Sequence, residues 1–436
     1  MKTYHIETYG CQMNVHDSEK LAGTLEKRGY VPAASLLSAD VIVFNTCCVR
    51  EHAEDRVFGN VGTLKSLKEE RPEVLIAVCG CMMQQEGMAE NLARKFPFVS
   101  LIFGTHNIDQ FKDMLIEAET GDKPSIHIKD DLTEITEGLP VRRGREVTAF
   151  TNVMYGCDNY CSYCIVPYVR GRERSREPEA ILDEIGALAK SGVLEVMLLG
   201  QNVNSYGKTL VPPVTFAELL RKVAAVEGIR RVRFMTSHPK DLTEDIVYAM
   251  RDCPAICNHI PLPVQSGSNR ILRAMNRHYT RERYMEIVKL FRREIPGVAI
   301  TTDIIVGFPG ETEKDFQDTL DLVKRVEYDA AFTFKYSVRT GTKAATMPDH
   351  VSETVKKERL KVLMDLQSEI GYRKNLEYVG REVDVLFDAK GKNGIVTGRT
   401  GTNKLVKTPG GEGVLGSIQR VRINEAEPWS LRGDMI

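Results

Sequence analysis

The sequence has no excess of charge of either sign. Its 59 Lys and Arg stand against 60 Asp and Glu, a formal net charge of −1. A protein that coats nucleic acid through a global positive field is excluded, so any affinity for a polyanion must come from local basic patches. No apolar run approaches the ~18 residues that a bilayer-spanning helix needs. The start, Met1-Lys2-Thr3-Tyr4-His5, lacks the apolar stretch of a secretion signal, so a cytosolic protein is expected. Internal repeats and low-complexity segments are also missing. With 42% hydrophobic and 27% charged residues, the composition excludes a disordered chain, a collagen and a miniature scaffold. The 436 residues suffice for about three domains.

Cysteine, by contrast, is plentiful. There are ten: Cys11, Cys47, Cys48, Cys79, Cys81, Cys157, Cys161, Cys164, Cys253 and Cys257. In a reducing compartment such a set points to metal ligation or catalysis rather than disulfides. Eight of them lie in the first 164 residues, often beside Gly, Asn or Tyr.

Residues 1–118 alternate strand and helix signals. Strands are expected at 3–8, 41–44, 74–78 and 99–103. Helices are expected from a cap at Asp17 to about residue 28, at 51–69, at 84–93 and at 108–118. Such alternation predicts an open parallel sheet with helices on both faces. Cys11, Cys47 and Cys81 each follow a strand, where ligands of open α/β sheets gather. Residues 119–147 are polar and basic and read as a linker, with room for a strand at 126–129.

Residues 148–377 repeat the rhythm, with strands at 149–154, 195–199, 231–235, 258–262, 299–306 and 331–336. Between them lie helices at 178–190, 215–226, 243–251, 280–294 and 312–325, and a long charged helix follows at 352–377. Six βα units predict a barrel, complete or partial, with its active site at the carboxyl ends of the strands. Residues 378–436 turn to short β-rich runs (382–387, 394–397, 404–407 and 415–423) between Gly-rich turns, the pattern of a small antiparallel β-barrel. Residues 373–436 carry 11 Lys and Arg against 8 Asp and Glu, an excess of three positive charges.

The central motif is Cys157-Asp158-Asn159-Tyr160-Cys161-Ser162-Tyr163-Cys164. Its C-x3-C-x2-C spacing lets one loop, after the first barrel strand, present three thiolates to one centre. Iron–sulfur clusters are normally held by four cysteines. Three would leave one iron open to a substrate, as open metal sites do. The bland alternative is a zinc site completed by a distant ligand. The motif resembles the radical S-adenosylmethionine (SAM) superfamily. That resemblance implies a 4Fe–4S cluster on Cys157, Cys161 and Cys164 that binds SAM and cleaves it to a hydrogen-abstracting 5′-deoxyadenosyl radical. It also places Tyr163 near the adenine of SAM. Polar strand-end motifs fit the same mouth: Gly200-Gln201-Asn202-Val203-Asn204, Thr236-Ser237-His238-Pro239, Val264-Gln265-Ser266-Gly267 and Val306-Gly307-Phe308-Pro309-Gly310. Gln201, Asn202, Gln265, Ser266 and Gly307 are the expected cofactor contacts.

Tyr9-Gly10-Cys11-Gln12-Met13-Asn14, Asn45-Thr46-Cys47 and Gly80-Cys81 resemble the amino-terminal domain of methylthiotransferases. The resemblance implies a second 4Fe–4S cluster on Cys11, Cys47 and Cys81. Cys48 and Cys79 are then expected as packing residues, although strand alternation leaves Cys79 eligible as a ligand. Cys253 and Cys257 are expected in the core, where cysteine is common. The resemblance spans essentially the whole chain. Tyr155-Gly156-Cys157-Asp158-Asn159-Tyr160-Cys161 and Trp429-Ser430-Leu431-Arg432-Gly433 look like the branch acting on N6-isopentenyl(dimethylallyl)adenosine in tRNA. The terminal segment resembles a TRAM domain, an RNA-binding barrel.

The expected activity is therefore methylthiolation of adenine carbon 2 beside the anticodon. In that implied scheme the amino-terminal cluster carries or supplies sulfur, one SAM methylates it and a second yields the radical. Arg142, Arg143, Arg145, Arg170, Arg172, Arg174 and Arg176 surround the cysteine loop. Arg170, Arg172, Arg174, Arg399 and Lys404 are the expected RNA contacts, since Lys and Arg supply phosphate affinity. A reducing donor and a sulfur source are the further partners, with no membrane and a monomeric chain. The rival readings are the same chemistry on threonylcarbamoyladenosine or on a ribosomal-protein side chain, and an iron–sulfur redox sensor that binds RNA.

Overall fold

Short runs of β-branched and aromatic residues form the strands, and Ser or Thr at helix starts fixes where the helices begin. The computed structural model describes residues 1–48, 53–121, 124–129, 135–142 and 146–436. The chain divides into two compact units. One holds Met1–Gly144, Met154–Asp158 and Cys164–Arg174; the other holds Arg145–Val153, Asn159–Tyr163 and Ser175–Ile436.

The first unit is a six-stranded parallel sheet. Its spatial order is Val31–Pro32, Thr3–Thr8, Val41–Thr46, Leu75–Gly80, Leu101–Phe103, Ser125–His127. Alternation divides the strand side chains between two faces. Ile42, Phe44, Ile76, Val78 and Ile102 pack on one face, and Val41, Val43, Ala77, Leu101 and Phe103 on the other. The segment expected as a linker adds the sixth strand, Ser125–His127, paired with Leu101–Phe103. It then lies along the first helix, where the Arg142 N–H donates to Glu19 O at 2.9 Å.

The first helix departs from expectation. It runs Gln12–Lys27 with Cys11 at its N-cap, so Asp17 lies inside it rather than at its start. The cause is tertiary: Asn14, Asp17 and Ser18 are buried and find polar partners there instead of solvent. The expected helix at 51–69 is two, Ala53–Thr63 and Lys65–Glu70; its first two residues lie outside the described residues.

In the second unit, six parallel strands follow one another in chain order. Thr148–Asn152, Glu195–Leu199 and Arg231–Phe234 form one sheet, and His259–Pro261, Ala299–Val306 and Ala330–Lys335 the other. Among the described residues one parallel bridge, Val232 to Ile256, links them, which makes a partial barrel. Helices Pro178–Lys190, Phe216–Ala224, Glu244–Asp252, Arg281–Glu294 and Glu313–Val326 connect the strands. Thr215 and Thr312 open two of them as capping boxes with Glu218 and Asp315. A short helix, Asn269–Ala274, was not expected.

The terminal segment is a closed five-stranded barrel. Four of its strand pairs are antiparallel. The closing pair, Leu405–Pro409 with Leu431–Met435, is parallel, so the barrel is antiparallel except at that seam. The last strand was absent from the sequence reading. Strand Arg231–Phe234 of the partial barrel holds this terminal barrel by its backbone. Arg231 donates to Arg399 O (2.6 Å) and Asp384 O (2.8 Å), and Arg233 to Thr400 O (2.6 Å) and Gly401 O (3.3 Å). Glu195 lies 2.9 Å from Arg233 and balances its charge. Among the described residues no helix is long and apolar enough to cross a membrane.

Candidate functional site

Three strand ends of the first unit carry Cys11, Cys47 and Cys81. Gly10 makes the first turn possible, because a Cβ there would lie 2.8 Å from Cys47 Cβ. Gly80 has φ +99°, and a Cβ on it would meet Thr46 O at 2.4 Å. Only glycine tolerates both constraints. The Cys81 N–H donates to Thr46 O at 3.0 Å, which ties the third turn to the second.

Asn14 sits fully buried at the centre of these turns. Its amide nitrogen donates to Thr46 O (2.9 Å) and Asn45 Oδ1 (3.2 Å), and its Oδ1 accepts from the thiols of Cys11 (3.4 Å) and Cys81 (4.0 Å). The Cys81 thiol is held down to a pKa of about 6 by a hydrogen bond from Cys48 and by the charge of Arg170, against the cost of burial. The same hydrogen bond, with burial, pushes Cys48 up. Cys48 and Cys81 pack with Ile165 and Val169. Cys79 belongs to the apolar layer of Val43 and Phe103, and burial raises its thiol far above the usual range. The strained turn at Gly80 is what sends Cys81 off that face.

Among the described residues no three Cys, His, Asp or Glu side chains form a ready site for one metal ion. A 4Fe–4S cube makes a different demand, because each thiolate binds its own iron and the ligands surround a larger group. Three thiols on adjoining strand ends, with an amide touching two of them and a buried cation beside one, fit that demand.

The C-x3-C-x2-C loop follows strand Thr148–Asn152. In the first unit, Gly156 has φ +74° and lies so close to Arg172 O that a Cβ would come within 1.9 Å. There the Cys157 N–H donates to Gly171 O at 3.1 Å. In the second unit, segment 159–163 is clamped by the residues after the short helix. Asn276 Nδ2 donates to Asn159 O (3.2 Å) and Tyr160 O (3.0 Å), and the Ser162 N–H donates to Met275 O (3.0 Å). Arg277 is the residue the sequence reading missed. It is buried, and it donates from Nη1 to Cys161 Sγ (3.2 Å) and Tyr163 Oη (3.4 Å), and from Nη2 to Pro263 O (3.0 Å). Tyr163 also packs against Ile271, Met275, Phe308 and Tyr336. No local sequence signal marks Arg277; Ser268 caps the short helix that leads to it.

The other strand-end residues divide. Gln265 adopts φ +70° and pairs through its N–H with Asp303 O at 2.8 Å. Burial pushes the Asp303 carboxyl up to about 6, with Arg277 opposing. Gln201 lies half-buried at its strand end. Asn202 spends its amide nitrogen on Asp241 (2.8 Å). The Ser266 hydroxyl accepts from the Ser268 N–H (3.2 Å), and the Gly307 N–H donates to Glu311 (2.7 Å). Ser266 and Gly307 thus also shape their loops. His238 is buried and strongly disfavours a proton, from burial first and then from Arg277 and Lys240. It is a neutral imidazole whose Nδ1 accepts from the Lys240 N–H (3.2 Å).

Two expected RNA contacts are overturned. Arg170 is buried against Asp17 (2.9 Å) and Cys81 (3.3 Å). Lys404 is buried 3.0 Å from Asp329. Neither can present its charge to a phosphate without breaking a buried ion pair. Arg176 is likewise internal, with Glu184 at 2.8 Å. Arg172, whose side chain is 70% exposed, and Arg399 are on the surface. Arg174 is half-buried and donates to Arg170 O (3.2 Å). Arg143 and Arg145 lie outside the described residues.

Comparison with known proteins agrees with this architecture. Residues 3–104 match the model of Uncharacterized protein family UPF0004, 151–323 the Radical SAM superfamily and 376–436 the TRAM domain. The radical S-adenosylmethionine methyltransferase TsrM from Kitasatospora setae is similar in fold, with a TM-score of 0.58 at 13% identity over 79% of this chain and 75% of that one. Two relatives are far nearer in sequence, both tRNA-2-methylthio-N(6)-dimethylallyladenosine synthases. The one from Caldicellulosiruptor saccharolyticus is 56% identical over 100% of this chain and 93% of its own length. The one from Clostridium tetani is 56% identical over 100% and 96%. At that identity along its whole length, this chain belongs to the family of tRNA-2-methylthio-N(6)-dimethylallyladenosine synthases, which are radical SAM methylthiotransferases.

Proposed function

We propose that this chain adds a methylthio group to carbon 2 of N6-dimethylallyladenosine in tRNA, with one 4Fe–4S cluster on Cys157, Cys161 and Cys164 and another on Cys11, Cys47 and Cys81. The observation that carries this is two sets of three cysteines, Cys11, Cys47 and Cys81 just after three neighbouring parallel strands, and Cys157, Cys161 and Cys164 in the loop that follows the first strand of the partial barrel. An aromatic C–H bond at adenine carbon 2 has no useful acidity, so the chain's acids and bases cannot break it. A SAM-binding cluster, when bound, supplies the one-electron chemistry that can.

The chain's own groups bind and orient. Arg277 fixes the Cys161 sulfur and offsets thiolate charge in a buried setting, where such contacts count most. Tyr163, Gln201 and Gln265 border the same mouth and support SAM there. Neutral His238 adds no charge to it. Gly10, Gly80 and Asn14 set the spacing of the second thiol set. Arg172 and Arg399 are exposed cations suited to tRNA phosphates, and the terminal barrel is the RNA-binding element. A low-potential electron donor and a sulfur source complete the reaction, carried out by a cytoplasmic monomer.

The test uses anaerobically reconstituted protein with SAM, a reductant, sulfide and tRNA bearing dimethylallyladenosine. Nucleosides are then analysed by mass spectrometry. The 2-methylthio product is expected, and expected to vanish in Cys157→Ala and in Cys81→Ala. 5′-Deoxyadenosine without a modified nucleoside would move the substrate elsewhere, and no SAM cleavage with both clusters loaded would refute the enzyme reading.

A further inference from the structure

Arg170 stands at the end of the short helix Val166–Arg170, six positions beyond Cys164. Its Nε donates to Cys81 Sγ at 3.3 Å. Its Nη2 reaches Asp17 Oδ2 at 2.9 Å and Asn14 Oδ1 at 3.4 Å. It is among the most deeply buried arginines of the chain, at 6% exposure. A cation is expensive to bury and stays so only against matched partners. Among the described residues its side chain meets one carboxylate, one thiol and the Asn14 amide oxygen. Asp17 is itself buried, so water screens neither charge well.

From this geometry we infer that Arg170 is a positioning residue for the amino-terminal cluster, holding the Cys81 sulfur in place and setting that cluster's reduction potential, with Asp17 as the counterweight. The inference rests on the two-cluster reading above. Its physics is that of hydrogen bonds and charge next to a cluster sulfur. An added electron makes the cluster more negative, so a nearby guanidinium and an N–H donor to sulfur favour the reduced form. Asp17 partly cancels the cation and works the other way. Because one short helix joins Cys164 to Arg170, the loop that carries one thiol set also carries the residue that tunes the other.

The test keeps the full chain. Cys157, Cys161 and Cys164 are replaced by Ala, so that only the amino-terminal cluster assembles, and its potential is read by EPR-monitored titration under anaerobic conditions. In that background Arg170→Gln is expected to shift the reduction equilibrium at least tenfold toward the oxidised form, ~59 mV for one electron. Arg170→Lys, which keeps charge but loses the fork, is expected to shift it less in the same direction. Asp17→Asn is expected to shift it the opposite way. If Arg170→Gln takes up no iron, the Lys and Asn variants decide the matter by their signs. Unchanged potentials, or shifts of one sign in Arg170→Lys and Asp17→Asn, would overturn the inference. Absence of iron in the parent chain would instead overturn the two-cluster reading, and this inference with it.

Discussion

Lys404 offers the sharpest division between a residue that binds RNA and one that holds the fold together. Its side chain is 8% exposed and lies 3.0 Å from Asp329, itself 9% exposed. Burial pulls the lysine pKa down, with Asp329 opposing. Lys404→Met removes one partner of a buried pair, which typically costs 3–5 kcal/mol because the other charge is left uncompensated. Lys374 stands 3.7 Å from the same carboxylate and takes up part of the loss, so about 3 kcal/mol is expected. For a unit of this size that lowers Tm by about 6 °C. Differential scanning fluorimetry reads it directly. The combined change Lys404→Met with Asp329→Asn should recover part of the loss, since no buried carboxylate is then stranded and the amide oxygen still accepts from the Ile300 N–H. Affinity for tRNA, measured across a salt series, should stay within about twofold with an unchanged salt slope. A tenfold loss of tRNA binding with an unaltered Tm would refute the reasoning and restore Lys404 to the RNA surface.

Further outcomes are expected on the same grounds. Gly80→Ala should lose the iron of the amino-terminal cluster alone, because its Cβ would strike Thr46 O. Gly87→Ala, with nothing within 4 Å of the new Cβ, should keep all its iron; iron analysis separates the two. Cys79→Ala should retain both clusters yet melt earlier, since it only thins the apolar layer it belongs to. His259 is buried with its pKa pushed down to about 3. The unfolded chain therefore binds the proton first, and stability that is complete above pH 6.5 falls by about 2 kcal/mol by pH 5. Asp303, pushed up to about 6, contributes the opposite slope over part of that range. Urea titrations of His259→Gln should lack the histidine share. Arg172→Gln and Arg399→Gln should each weaken tRNA binding and lower the log–log salt slope by about 1.

Periodicity made the strands and most helices legible. Glu195–Leu199, Ala299–Val306 and Pro178–Lys190 follow directly from apolar runs and a proline at a first helical position. The cysteine sets were legible from spacing and from their places after strands. What escaped has a common cause: polar residues whose partners are distant in sequence. Asp17 reads as a helix cap until Arg170, 153 residues on, draws it inside. Arg170 and Lys404 read as surface cations until their carboxylates are seen. Arg277, fixed on Cys161 116 residues away, has no local signature, because its meaning lies in a contact between βα units. The parallel closing pair of the terminal barrel was invisible for the same reason, as Val406 meets Leu431 only once the barrel has rolled up.

The grip of Arg231 and Arg233 on the terminal barrel has a consequence for how freely that barrel can change. The four contacts reach main-chain carbonyls of residues 384, 399, 400 and 401. A carbonyl is present whatever side chain its residue bears. The joint is therefore indifferent to the side chains at 384, 399 and 401, whereas buried Thr400, whose hydroxyl accepts from the Lys404 N–H, holds the path of the hairpin. The outward side chains, Arg399 among them, can be exchanged without loosening the seam. A graft of a foreign hairpin of the same backbone course should thus seat on this chain at once, and a new nucleic-acid preference could be installed without redesigning what holds it.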